Sequence, residues 1–528
     1  MFVAPATRWA PDDAVMELGA LSPGRRPGVQ VAGLASTLIF AATVSGCAAV
    51  GPNFKPPVAT TAQTYAGAGD KAAALAVLTS NARDAGPWWL ALGSPALDEV
   101  MTRALANNQT VAAAQATLEK AQAQAQKERA ALAPSVTGAA AYNRERINIT
   151  ALGFPGFANP TIGLYSIGPS VTYDLDLVGG QRRRVEAARA MVQVEAGKAD
   201  AAYLALTGNV ALEAVKIAAY RAQLEVIQGV VDDDRTSIEI VRKAEAAGGA
   251  SPSAALGGHL QLQQDLALLP PVEQNLAEAK HALAMLVGEA PSGWSAPDFD
   301  VQDFIPPSPI PVALPSALVH HRPDIQAAEA QLHADTAIIG FESARLYPDI
   351  RLTASITQEA LTPSALFDFG ATAYSLGPSL TMPIFDGGAI RADRRAAQAQ
   401  ARASLAQYRQ TVISAFVQVA DVLSALGQDQ ERLAMLDTAE STAKASLDDA
   451  KAAYGLGGGP LASVIIADRQ WREASLAQVG AVGQRLGDIV ALYAATATDW
   501  RSTPNSAALM SSDQVNGVKR LASPRQSP

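Results

Sequence analysis

The strongest constraint on this chain is that it repeats itself. Tyr165-Ser-Ile-Gly-Pro-Ser-Val-Thr172 returns as Tyr374-Ser-Leu-Gly-Pro-Ser-Leu-Thr381. Glycine pairs follow at Gly179-Gly180 and Gly387-Gly388, and Pro134 of the first copy is echoed by Pro348. Val412, Val419, Leu426 and Leu433 stand at the same offset from Tyr203, Val210, Ile217 and Leu224 as one tyrosine motif from the other. The repeat therefore runs on without a gap, and one structural plan is used twice.

Each copy begins with strands. Tyr165, Ile167, Val171, Tyr173, Leu175 and Leu177 alternate with Ser166, Gly168, Ser170, Thr172, Asp174 and Asp176. Tyr374, Leu376, Leu380, Met382 and Ile384 alternate with Ser375, Gly377, Ser379 and Thr381. Each has a preceding partner: Val136, Gly138, Ala140 and Tyr142 in the first copy, Ile350, Leu352, Ala354 and Ile356 in the second. A period of two held for about ten residues fits a membrane-crossing strand, and a four-stranded sheet in a soluble sandwich shares the pattern. Gly/Pro/Asn-rich loops, roughly 147–163 and 359–372, join the members of each pair.

Helices follow. From Gln181 to about Ala247 only isolated glycines interrupt, and Tyr203, Leu206, Val210, Ile217, Tyr220, Leu224, Ile227 and Val231 keep a three-four spacing, with Glu213 the exception. That spacing is a coiled-coil seam, and Val412, Phe416, Val419, Leu423, Leu426 and Leu433 repeat it. Such a helix extends roughly 100 Å. Gly248-Gly249 and Gly457-Gly458-Gly459 turn the chain into return helices at about 252–288 and 461–498, and shorter helices at about 96–132 and 315–346 lead into the strands. The organisation read from this is 1–46 signal peptide, 47–95 N-terminal segment, 96–300 first repeat, 301–315 Pro-rich linker, 316–500 second repeat and 501–528 polar tail.

The N-terminus carries an address. Arg25 and Arg26 precede the apolar stretch Val31 to Val44, which is too short to span a bilayer. Val44-Ser45-Gly46-Cys47 then has the form of a bacterial lipobox, so Cys47 is expected to carry a diacylglyceryl group and an acylated amine. Several acyl chains make a stable anchor where one does not. Ala48, rather than an aspartate, follows and points to the outer membrane, and Met16 is a candidate start. No apolar run in the mature chain reads as a transmembrane helix, so a spanning protein must span with strands.

Composition removes other classes. Charged residues are 17%, aromatics 5%, and the formal charge is −9, which argues against a nucleic-acid partner. The five histidines, His259, His281, His320, His321 and His333, lack metal-ligand spacing, and no phosphate loop or nucleophile elbow is present, so no cofactor and no enzymatic activity are expected.

Four strands cannot close a barrel, and open edges are not tolerated in hydrocarbon. Subunits must therefore share one barrel, and two, three or four copies would give about eight, twelve or sixteen strands.

These residues together resemble the TolC-like outer-membrane efflux proteins, in their NodT-type lipoprotein branch, over nearly the whole mature chain. The segments that carry the resemblance are Cys47-Ala-Ala-Val-Gly-Pro-Asn-Phe-Lys-Pro-Pro57, Leu314-Pro-Ser-Ala-Leu-Val-His-His-Arg-Pro-Asp324 with its continuation to Leu332, Tyr347-Pro-Asp-Ile350 and Pro383-Ile-Phe-Asp-Gly-Gly388. The resemblance implies an α+β membrane protein whose subunits form a homotrimer with a twelve-stranded β-barrel, continued by a long α-helical coiled-coil barrel. It implies an outer-membrane duct, lipid-anchored, working with a periplasmic adaptor and an inner-membrane RND pump to export small molecules. A duct for type I protein secretion and a structural periplasmic coiled-coil lipoprotein are the alternatives.

The resemblance also implies a gate at the hairpin tips, commonly built on aspartates. Here Ser463 and Ile466 stand where the aspartates would be, within Ser463-Val-Ile-Ile-Ala467, and Ala254 takes the matching place in the first copy. Gly459 aligns with a gate arginine, whereas Tyr454 matches a gate tyrosine. An apolar neck built on Ile466 and an acidic role moved to Asp468 are the two readings.

Overall fold

In a computed structural model of the chain, the described residues are 49–57, 64–65, 76–79, 87–148, 151, 153, 156, 158–306, 310–313, 318–319 and 321–496. The chain divides into Met1–Ala48 and Ala49–Pro528. The expected signal peptide, Met16, Cys47, His320, half of residues 306–315 and the tail beyond residue 500 lie outside the described residues.

The described residues form six strands: β1 (Ala76–Thr79), β2 (Ser135–Arg146), β3 (Thr161–Leu175), β4 (Ile310–Ala313), β5 (Asp349–Ala360) and β6 (Thr372–Thr381). β1 and β4 pair in parallel. The other four form one antiparallel sheet in the order β2-β3-β5-β6. The register sorts its residues onto two faces. Val136, Tyr142, Tyr165, Val171, Leu352, Ala354, Tyr374, Leu376 and Leu380 share one face through the pairs Val136↔Val171, Val171↔Ala354 and Ala354↔Leu376. The other face is mainly polar, Ile162 and Leu164 apart: Thr137 and Ser170 hydrogen-bond at 2.8 Å, and Arg351 pairs with Asp174. Apolar side chains on the sheet stand in the open, Val136 at 68%, Tyr374 at 84% and Leu376 at 80% exposure. A sheet apolar outside and polar within is what a barrel wall in lipid requires. β6 ends at Thr381, so Met382 and Ile384 continue the alternation beyond the ladder.

The helices are α1 (Pro95–Asn107), α2 (Gln109–Ala130), α3 (Gly180–Ala246), α4 (Pro252–Leu266), α5 (Leu269–Val287), α6 (Pro323–Ala344), α7 (Ala389–Gly455) and α8 (Leu461–Thr496). α3 and α7 both hold 67 residues, a length of about 100 Å. Each starts after a glycine with positive φ, Gly179 at 78° and Gly388 at 90°. Aspartates just upstream accept the free amides: Asp176 from Gln181 and Arg182, Asp386 from Gly388 and Ile390. Those backbone donors hold the Asp386 carboxyl below its ordinary range.

Three expected helices differ. The return helix of the first copy is broken at Ala267-Leu268, because Pro270 and Pro271 bring no amide donors and disfavour helix just before them. The first leading helix is broken at Asn108, whose Oδ1 caps Thr110 and Val111 while its Nδ2 donates to the Leu286 carbonyl at 2.9 Å. The second leading helix, α6, begins at Pro323.

The main core sits around the middle of α3, where Leu206, Val210, Ala214 and Ile217 meet Leu97, Met101, Leu283, Phe299, Leu426, Ile489 and Trp88. Trp88 stacks on Tyr493 at 5.4 Å and its Nε1 donates to Thr207. A second cluster gathers Leu318, Ile325, Tyr408, Val412 and Val419. Arg322, in the His-Arg-Pro-Asp stretch, knits these layers: it pairs with Asp324 at 2.7 Å and donates to Gln418 on α7 and the Ala495 carbonyl on α8.

The expectation that no apolar run approaches spanning length needs one correction. α3 and α7 each contain an 18-residue window of mean hydropathy 1.2 and 1.3, long and apolar enough by length and composition. Alanine seams raise the average. Helices of 67 residues that carry charges along their length are far longer than the roughly 30 Å of hydrocarbon they would have to match.

Candidate functional site

The hairpins α3/α4 and α7/α8 turn at the end of the molecule away from the sheet. Their turns are built alike: Gly248 and Gly457 have φ of 77° and 76°. The Ala254 amide donates to the Ser251 carbonyl at 2.9 Å, and the Ser463 amide to the Pro460 carbonyl at 3.0 Å, so these two residues occupy equivalent places. Ser463 is exposed and Ala254 partly so. The Tyr454 carbonyl accepts the Gly457 amide at 3.0 Å, and Gly459 lies over Ala453. One turn into α8 the surface divides. Ile466 is 50% exposed, whereas Ala467 and Asp468 are buried.

Asp468 faces an ion cluster that the sequence reading did not find. Arg472, 5% exposed, sits between carboxylates from three helices. Its Nη1 donates to Asp234 of α3 at 2.9 Å and to Asp265 of α4 at 3.3 Å, and its Nη2 pairs with Asp468 of its own helix. Gln261 donates to Asp265 at 2.9 Å. Burial pushes the Asp234 carboxyl up to about 6, and its hydrogen bond with Asp265 adds to this against the pull of Arg472. Burial also raises Asp468. One signal was in the sequence: Ile227, Val231, Asp234, Ile238 and Val241 keep the three-four spacing, so an aspartate holds an apolar seam position. Among the described residues no cluster of His, Cys, Asp or Glu is arranged to hold a metal ion.

A second missed site lies where β3 passes into α3. The segment that follows Cys47 in sequence is clamped there. The Val50 amide donates to the Val178 carbonyl at 2.9 Å. Arg183, 4% exposed, donates to the carbonyls of Val50 and Ala49 and, at 2.7 Å, to Asn53 Oδ1. It also pairs with Glu186, which His333 meets from the other side at 3.0 Å while stacking on Phe54 at 4.5 Å. Burial pushes Glu186 up, but hydrogen bonds from His333 and Arg183 outweigh it and bring the carboxyl below its ordinary range. Gly51, at φ 96°, lies so close to Gly340 that a Cβ on it would stand 2.4 Å from the Gly340 Cα. Only glycine fits both sides of that crossing. The second repeat has Ala392 where the first has Arg183, a difference that marks the clamp as single.

Comparison with known proteins places this architecture. A family described as "Outer membrane efflux protein" matches residues 100–289 and 314–498. The pyoverdine export outer membrane protein OpmQ of Pseudomonas aeruginosa is 30% identical over 434 residues, 81% of this chain and 90% of that one. Nodulation protein T of Rhizobium leguminosarum bv. trifolii is 26% identical, over 84% of this chain and 93% of that one. The MtrE outer membrane channel of Neisseria gonorrhoeae, solved in an open state, has a TM-score of 0.76 and 25% identity, covering 86% of this chain and 99% of that one. The expected resemblance, the α+β fold class with two repeats, and the duct rather than the enzyme all stand. The chain is thus a member of the outer membrane efflux protein family.

Proposed function

We propose that three copies of this chain share one twelve-stranded barrel and act as the outer-membrane exit duct of a tripartite efflux system. A periplasmic adaptor and an RND-type inner-membrane pump would deliver small molecules to it. The observation that carries this reading is the sheet itself: β2 and β6 each have one neighbour among the described residues, and their other edges are open. In hydrocarbon those edges need partners, and pairing β2 of one subunit with β6 of the next supplies them. α7 supports the same assembly, since Ile413, Val417 and Met435 are half to mostly exposed along it. The clamp on residues 49–53 supports the lipid anchor, because it holds the chain at the end of β3 two residues after Cys47. The half-exposed Ile466 is our candidate for the narrow periplasmic neck.

The test is reconstitution of the full-length protein in planar bilayers together with acyl labelling. We expect ion-conducting channels, and acyl label that is lost in Cys47→Ser. A folded, labelled protein that conducts no ions under any condition would remove the duct reading.

A further inference from the structure

We propose that Arg472 and its three aspartates form a proton-dependent latch, which ties the first hairpin to α8 and holds the periplasmic end narrow while one proton is bound. The inference rests on the duct reading above. Its geometry is specific. Asp234 lies 12 residues before the end of α3 and Arg472 lies 11 residues after the start of α8, so both sit about 18 Å from the hairpin tips. Asp265 brings in α4 at the same level. The cluster therefore joins the two hairpins where their separation would widen the tips.

Its charge is unbalanced. Three carboxylates against one guanidinium leave −2 when all are ionised, in a site where Asp234, Asp265, Asp468 and Arg472 are 7%, 8%, 8% and 5% exposed. Buried like charges repel strongly. Asp234 Oδ2 and Asp468 Oδ1 are buried with no hydrogen-bond partner, so each is placed to take a proton. A proton between Asp234 and Asp265 turns their repulsion into a hydrogen bond and lowers the net charge to −1. Other charges face the cluster from the packed elements: Asp233 of α3, which adds to the repulsion, and Lys451 of α7, which opposes it.

The direction follows. Asp234 ionises near pH 6 with the cluster packed as it is here, the arrangement the proposal assigns to the closed duct, and burial is the main cause. Exposed by opening, it would ionise near 3.9. The closed state then binds the extra proton between about pH 4 and 6, so acid favours closure and rising pH favours opening. Linkage between those two values gives about a tenfold rise in the open-to-closed ratio from pH 5 to pH 8.

The experiment is single-channel recording of the full-length protein in planar bilayers at pH 5 and pH 8, for wild type, Asp234→Asn, Asp265→Asn and Arg472→Gln. Heat-modifiable migration on a gel would verify that each variant is folded. Wild type should open about tenfold more at pH 8. Asp234→Asn should lose most of that dependence and stay closed at both values, because a neutral amide keeps the hydrogen bonds. Arg472→Gln should be open at both, with three carboxylates left unopposed. If Arg472→Gln does not fold, the two asparagine variants decide alone. An unchanged pH response in both of them, or an Arg472→Gln channel as closed as wild type, would overturn the latch and leave the duct standing. No conduction by any protein at any pH would overturn the duct reading, and the latch with it.

Discussion

Ile466 and Asp468 are two residues apart on α8 yet meet different surroundings. Ile466 is half exposed, while Asp468 is turned into the Arg472 cluster. If Ile466 lines the neck in three copies, an apolar ring there resists wetting. Ile466→Asp should then raise cation conductance in planar bilayers, and an unchanged value would remove Ile466 from the neck. Stability should also report the cluster. The raised Asp234 carboxyl means that the folded chain holds a proton which the unfolded chain releases near pH 4. Folding stability contributed by this group is therefore largest below about pH 4 and declines as pH rises towards 6, by about 2–3 kcal/mol. Asp234→Asn should flatten that slope in denaturant titrations across this range. At the other end of α3, Arg183→Ala removes the buried guanidinium that holds Ala49, Val50 and Asn53, a loss of about 2 kcal/mol. Limited proteolysis should then cut within residues 49–57 many times faster than in wild type. Single residues were the least legible part of the sequence. Asp234 could be read as misplaced on its seam, but its partners Asp265 and Arg472 are 31 and 238 residues away and nothing local links them.

At the scale of elements, the sequence was most legible where a period repeats. The long helices and the two-faced strands follow from periods of three-four and two, sustained over many residues. The 209-residue offset between Gly180 and Ala389 carries through both helices to their last residues, Ala246 and Gly455. Breaks were less legible, because they depend on one or two residues against a strong helical background. Pro270-Pro271 could have been read as a break, whereas Asn108 acts through a tertiary bond to Leu286 that no local pattern reveals. The motif Gly-Pro-Ser has a structural reason in its first copy. A Cβ on Gly168 would lie 2.0 Å from the Ile356 carbonyl oxygen, and Pro169 beside it has no amide to give the ladder. Gly168→Val should therefore disrupt the β3–β5 pairing and abolish heat-modifiable migration. A normal oligomer from that variant would show that the close approach is not needed.

At the scale of the molecule, one subunit is an incomplete object. Among the described residues its sheet has two open edges, apolar side chains on the sheet stand exposed, and α7 has less of its apolar window buried than α3, 22% against 44%. The sequence allowed two, three or four copies by strand count, and only resemblance chose three, since a barrel's closure is a property of the assembly and not of the chain. The most direct test is disulfide trapping between the free edges, with single cysteines placed along β2 and along β6 and combined pairwise. If β2 of each subunit pairs with β6 of the next, an in-register pair should oxidise to a covalent ring of three chains, reversible by reductant. If every pair yields only monomers, or linkage stops at two chains, the shared barrel is contradicted.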